Sequence, residues 1–174
     1  MWPVIHSSGQ EGISFHARKR VILRRVAESF KEISECAKEC GVRIALELLC
    51  RYDSSLVNTV SQGKQLLDLI SSDNVGLLLD TFHLNIEEKS MNTAICTAGK
   101  NLFHFHGCEN DRGTPGTGLI DWNEVWSSLK RIDYRGLVSI ESFDSSDKRL
   151  ASKMNVWRKL AIKRCAREGW AALS

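Results

Sequence analysis

No stretch of this 174-residue sequence reaches 18 consecutive apolar residues, the length a helix needs to cross a bilayer. The opening Met-Trp-Pro-Val-Ile-His also lacks the charged-then-apolar order of an export signal. A cytoplasmic protein with no membrane partner is therefore expected. CxxC pairs are missing too. The six cysteines offer neither a disulfide frame nor a zinc knuckle, and Cys36 and Cys40, one helical turn apart, read with the others as reduced, mostly buried thiols. An excess of one charge sign is likewise lacking: 24 basic residues face 21 acidic ones, for a net charge of +3. With no aromatic-and-basic repeat, this balance argues against a nucleic-acid partner and for a small molecule. What is present, 43% hydrophobic and 26% charged residues, suits one globular domain spanning 1–174.

Residues 1–15 form a loop-like mixture of Ser, Gly and Pro. From His16 to Cys40 apolar residues recur at three- and four-residue steps, predicting an amphipathic helix that Gly41 stops, with a solvated basic start at Arg18-Lys19-Arg20. Val42 to Leu49 reads as a strand buried on both sides, broken by one carboxylate, Glu47. Helical spacing over Leu56 to Ile70 leads into a second apolar strand, Val75 to Asp80, that again ends in an acid. A weaker helix over Ile86 to Ala98 precedes Leu102-Phe103-His104-Phe105-His106-Gly107-Cys108. Strict alternation there puts His104 and His106 on one face and Phe103 and Phe105 on the other. The polar, Gly-rich run Glu109 to Gly118 is a turning loop. Trp122 to Ile132 is a short helix with Trp122 as a packing residue at its start. Leu137 to Ser142 is a fourth strand, and a last helix runs from about Asp147 to Trp170.

Strand and helix alternate throughout, so right-handed crossovers give a parallel sheet of four strands covered by helices, an α/β fold. Glu47, Asp80, His106 and Glu141 fall at spacings close to the roughly 30-residue length of a βαβ step. Each therefore ends a different strand, and parallel strands bring their C-terminal ends to one rim. Two Glu, one Asp and one His are a hard, oxygen-rich donor set that suits one divalent metal, Mn²⁺ or Mg²⁺ first, Co²⁺ tolerated and zinc second.

Several segments resemble one family. Ala45-Leu46-Glu47, Arg51-Tyr52-Asp53, Leu77 to Glu88, His104 to Arg112 and Ile140 to Phe143 are similar to the D-tagatose/D-psicose (allulose) 3-epimerases, ketose 3-epimerases of the xylose isomerase-like TIM-barrel superfamily. The resemblance implies a (β/α)₈ enzyme that uses one divalent metal, usually Mn²⁺, to invert the C3 hydroxyl of a free ketose. The family's metal ligands match Glu47, Asp80, His106 and Glu141. Its substrate contacts match His83 and Arg112, while its usual Glu is the shorter Asp53 here.

These residues allow general acid-base chemistry at a carbon beside a carbonyl. Glu47 and Glu141 would bracket C3, one removing a proton to give an enediolate and the other returning one to the opposite face. His83 and Arg112 would hold the developing oxyanion, and His104 would support a metal ligand. Four strands are half of the eight in a TIM barrel, so the resemblance covers the C-terminal half and implies that the first four βα units are lacking. A half-barrel exposes sheet edges, so a homo-oligomer is expected. Two further readings stay open: a truncated, inactive remnant that binds or assembles without turnover, and an abasic-site endonuclease, which calls for more His and Glu ligands and a basic groove.

Overall fold

The computed structural model describes residues 15–173; the loop expected over residues 1–15 lies outside them except for Phe15, which opens the first helix. Helix α1 (Phe15–Glu39) leads into β1 (Ile44–Glu47), α2 (Val60–Ile70) and β2 (Val75–Asp80). Then follow α3 (Thr81–Glu87), α4 (Met91–Ala98), β3 (Leu102–Gly107), α5 (Trp122–Arg131), β4 (Val138–Ile140), α6 (Lys148–Met154) and α7 (Ile162–Leu173). The strands form one sheet in the order β1-β2-β3-β4, every pair parallel. This is the α/β arrangement expected from the alternating pattern.

Alternation along the strands separates core from site. Leu77, Leu79 and Phe105 are fully buried with Ile95 of α4 and Val125 of α5 in one apolar cluster. Leu78, His104 and His106 point the other way and are only half-buried.

Phe103 departs from the expected alternation. Leu77 pairs with Leu102 and Leu78 with His104, so Phe103 is an extra, bulged residue. A Cβ on Gly76 would collide with the Phe103 ring. The ring therefore lies on the face shared by Gly76, Leu78 and Asp80, where the Arg43 guanidinium stacks 4.7 Å from its centroid. Only glycine at position 76 leaves room for this floor.

Other boundaries shift for local reasons. Strand β1 is shorter than expected and half-buried, because among the described residues it has a neighbouring strand on one side only. Thr59 and Gln62 form a reciprocal capping box, so α2 starts at Val60 instead of Leu56. The helix expected over Ile86 to Ala98 is two: α3 begins directly at the end of β2, and the Ser90 hydroxyl starts α4 by accepting from Thr93 N–H. The last helix is also divided. Asn155 adopts a left-handed conformation that ends α6, and the chain then returns past residues 144–145 through Ser145 N–H to Arg158 C=O and Leu160 N–H to the Asp144 carboxylate. Of the cysteines, Cys50, Cys108 and Cys165 are buried as expected, whereas Cys36 and Cys40 lie exposed on and just after α1; all six are free thiols. No helix among the described residues is long and apolar enough to cross a membrane.

Candidate metal centre

Glu47 ends β1 and Asp80 ends β2, while His106 lies one residue from the end of β3. Glu141 follows β4 directly, and its N–H still donates to Gly107 C=O at 3.1 Å, which carries the ladder to that residue. Asp80 pairs with His106 and His106 with Ser139 across the sheet. One donor atom from each of Glu47, Asp80, His106 and Glu141 lies within 4.8 Å of all the others. Residues 94 positions apart in the chain thus share one rim.

His106 Nδ1 is buried without a hydrogen-bond partner. It faces Glu141 Oε2 at 3.3 Å and Glu47 Oε1 and Asp80 Oδ2 at 3.8 Å each. A buried ring nitrogen left unpaired among three carboxylates is costly unless a cation completes the set. Three oxygens and one imidazole nitrogen fit a hard divalent ion. The electrostatics agree with this. Burial pushes the pKa of Asp80 upward and the neighbouring Glu141 adds to it, while Glu141, despite its own burial, is held low by His106 and Asp80. Glu47 is raised by burial and then by Glu141, and the Glu141 carboxylate raises His106.

Asp80 is fully buried and both its oxygens are engaged. Oδ1 accepts from Phe82 N–H at 2.7 Å and caps α3, while Arg112 Nη1 donates to Oδ2 at 3.1 Å and to Glu141 Oε2 at 3.0 Å. Arg112 has a left-handed backbone, φ 62°, and its guanidinium lies 4.0 Å from the centroid of Phe82 and 5.0 Å from that of Phe143. These rings, with no signal of their own in the sequence, hold a buried cation at the rim.

His83 stands beside this group. Its Nδ1 accepts from Cys50 N–H at 3.0 Å and its Nε2 lies 2.8 Å from Arg112 Nη2. Burial and the adjacent Arg112 lower its pKa to about 4, so the ring is neutral near pH 7. Asp53 Oδ2 is 3.8 Å from His83 Nδ1 and accepts from the Cys50 thiol at 3.3 Å. Asp53 is thus at the site mouth, 40% exposed. A cavity of about 360 Å³, lined by Cys50, Asp53, Phe82, Arg112 and Trp157 among others, opens beside these residues. The loop carrying Cys50 and Asp53 is fixed by Glu87, whose carboxylate accepts from Arg51 N–H at 2.6 Å and from its guanidinium at 2.9 Å twice.

His104 does not hydrogen-bond a metal-ligand candidate. Its Nε2 pairs with Ser139 Oγ at 3.1 Å, and its ring packs edge-on to His106 with centroids 4.9 Å apart. Glu109, given no role from the sequence, is fully buried. Its carboxylate accepts from Gly116 N–H and Trp122 Nε1–H at 2.7 Å and from Ile120 N–H at 3.2 Å. It folds the loop that carries Arg112, and Trp122 serves as a helix-start packing and anchoring residue. A Glu set between an apolar strand and a Gly-rich loop was the only available signal.

Residues 3–160 match the family model described as xylose isomerase-like TIM barrel. A probable ketose 3-epimerase of Synechocystis sp. is 42% identical over 137 residues, covering 79% of this chain and 48% of that protein. The D-psicose 3-epimerase of Ruminiclostridium cellulolyticum is 40% identical over 153 residues, covering 86% and 52%. A crystal structure of D-psicose 3-epimerase with D-tagatose from Clostridium cellulolyticum H10 superposes with a TM-score of 0.82 at 37% identity, over 99% of this chain and 58% of that one. The chain spans about half the length of the curated relatives it matches.

Proposed function

Because the chain belongs to the xylose isomerase-like TIM-barrel family, we propose that it carries the metal-binding half of a ketose 3-epimerase acting on a free ketose. The observation that carries this reading is the convergence of Glu47, Asp80, His106 and Glu141 within 4.8 Å around an unpaired His106 nitrogen. Mn²⁺ is the first choice for the ion, with Mg²⁺ or Co²⁺ as alternatives. When bound, it polarises the sugar carbonyl and makes the neighbouring C3 proton more acidic.

The chain's own groups do the rest. Glu47 and Glu141 come from the two outer strands of the sheet, so they address C3 from opposite sides, one removing its proton and the other delivering one to the far face. His83 Nδ1 accepts from Cys50 N–H, which leaves the ring proton on Nε2. Nε2 faces the Arg112 Nη2 at 2.8 Å, so the imidazole and the guanidinium stand side by side at the rim, and these two groups would hold the developing enediolate oxygen once that direct contact opens. Asp53 at the mouth accepts from a sugar hydroxyl, with a shorter reach than the Glu usual in the family.

Uptake of deuterium from solvent at C3 of fructose, tagatose or allulose tests this reading with Mn²⁺ present. Glu141→Gln is expected to lower exchange by on the order of 10² or more while the fold is retained. Wild-type-like exchange in that variant removes Glu141 as acid or base, and no exchange by the Mn²⁺-saturated wild-type chain favours a binding protein without turnover.

A further inference from the structure

A second group of donors stands beside the metal rim. Cys50, Asp53 and His83 each offer a donor atom within 4.8 Å of the other two. Local structure brings them together. Asp53 N–H and Ser54 N–H both donate to Cys50 C=O at 3.0 Å, so the chain turns tightly after β1 and sets the Cys50 and Asp53 side chains against each other. Asn58 fixes the turn, its side-chain amide donating to Leu49 C=O and Ser54 C=O at 2.7 Å each. His83 reaches the same point from α3 and is buried.

Hydrogens occupy the middle of this group. The Cys50 thiol donates to Asp53 Oδ2 at 3.3 Å, Cys50 N–H donates to His83 Nδ1 at 3.0 Å, and Oδ2 lies 3.8 Å from that nitrogen. The Nδ1 lone pair therefore points at the turn and away from the rim. Tetrahedral bonds of about 2.3 Å to sulfur and about 2.0 Å to nitrogen and oxygen put such donors roughly 3.3 to 3.6 Å apart. The spacing already present is close to this. The chemistry differs from that of the rim, where three carboxylates and one imidazole make a hard set; a thiolate, an imidazole and one carboxylate select a softer ion.

We propose that Cys50, Asp53 and His83 form a second cation site, one that takes an ion of the zinc class. On binding, the Cys50 thiol proton passes to solvent and Sγ bonds the ion as thiolate, while Nδ1 exchanges its hydrogen bond from Cys50 N–H for a bond to the metal. Water fills the fourth position from the cavity that Cys50 and Asp53 line. His83 and Asp53 are also the groups proposed above to meet the sugar, so the ion and the sugar exclude each other. That consequence rests on the epimerase reading; the site itself does not.

Co²⁺ is the probe, because a thiolate bound to it gives a near-ultraviolet charge-transfer band that the sulfur-free rim cannot give. The 174-residue chain carrying Cys36→Ser and Cys40→Ser, which remove the two exposed thiols, is mixed with Mn²⁺ and then titrated with Co²⁺. The band is expected to appear and to be abolished by excess Zn²⁺. Adding Cys50→Ser is expected to remove it while Mn²⁺ binding in calorimetry stays within about twofold. Asp53→Ala, at an exposed position, is expected to keep the band and weaken Co²⁺ binding about tenfold or more. No band at saturating Co²⁺, a band that persists in Cys50→Ser, or an affinity indifferent to Asp53→Ala overturns the proposal. A Cys50-dependent band in a chain that binds no Mn²⁺ sinks the rim site and leaves this one standing.

Discussion

Asp80 divides its two oxygens between architecture and chemistry. Oδ1 holds Phe82 N–H and starts α3, while Oδ2 meets Arg112 and faces His106. Asp80→Asn keeps an oxygen for the cap but replaces charge by a neutral amide. The expected outcome is Mn²⁺ binding weakened by about tenfold or more in calorimetry, with the fold retained; undiminished binding removes the four-residue site. The alternating apolar pattern of the strands made Glu47, Asp80, His106 and Glu141 visible, because each is a polar residue at the end of an apolar run. Phe82 and Phe143 around Arg112 left no such trace, since a ring next to a guanidinium is a product of the assembled fold. Asp53, which stands where the family commonly has Glu, lies 3.8 Å from His83 Nδ1, a neighbour that only the folded loop supplies.

Among the elements, the loop between β3 and α5 owes its shape to one side chain. Glu109 gathers two loop amides and the Trp122 indole N–H, and no other carboxylate replaces it there. Glu109→Gln turns one acceptor oxygen into a donor facing these N–H groups and removes the charge that strengthens the bonds. Destabilisation of about 2 kcal/mol is expected in urea unfolding; a midpoint equal to wild type shows that Glu109 does not organise the loop. Strand β2 was legible to the residue, because an apolar run closed by Asp has few other readings. The helix over Ile86 to Ala98 was not, because α3 already ends at Glu87 and Ser90 caps a new helix, and a single Ser within a helical pattern gives no sign that one starts there. Phe103 was placed on the wrong face for a related reason: a bulge of one residue reverses alternation without changing composition.

For the whole molecule, the outer strands are the decisive feature. A sheet with β1 and β4 unpaired on their outer sides among the described residues leaves main-chain donors and acceptors exposed. Glu47 and Glu141 lie at these outer strands, so a divalent ion held by all four candidates would tie the outer strands to the inner pair. The thermal midpoint is expected to rise when Mn²⁺ is added, and differential scanning calorimetry with and without the ion measures it. A midpoint indifferent to Mn²⁺ counts against the four-residue site.

Periodicity alone determined the order of the four strands, their parallel pairing and the four ligand candidates at their ends, because burial imposes a regular pattern on the chain that does not depend on distant partners. Tertiary structure decided what lies between those elements. The stacking of Arg112 on two rings, the neutral state of His83 and the inward turn of Phe103 all depend on groups from separate strands and loops meeting at one rim.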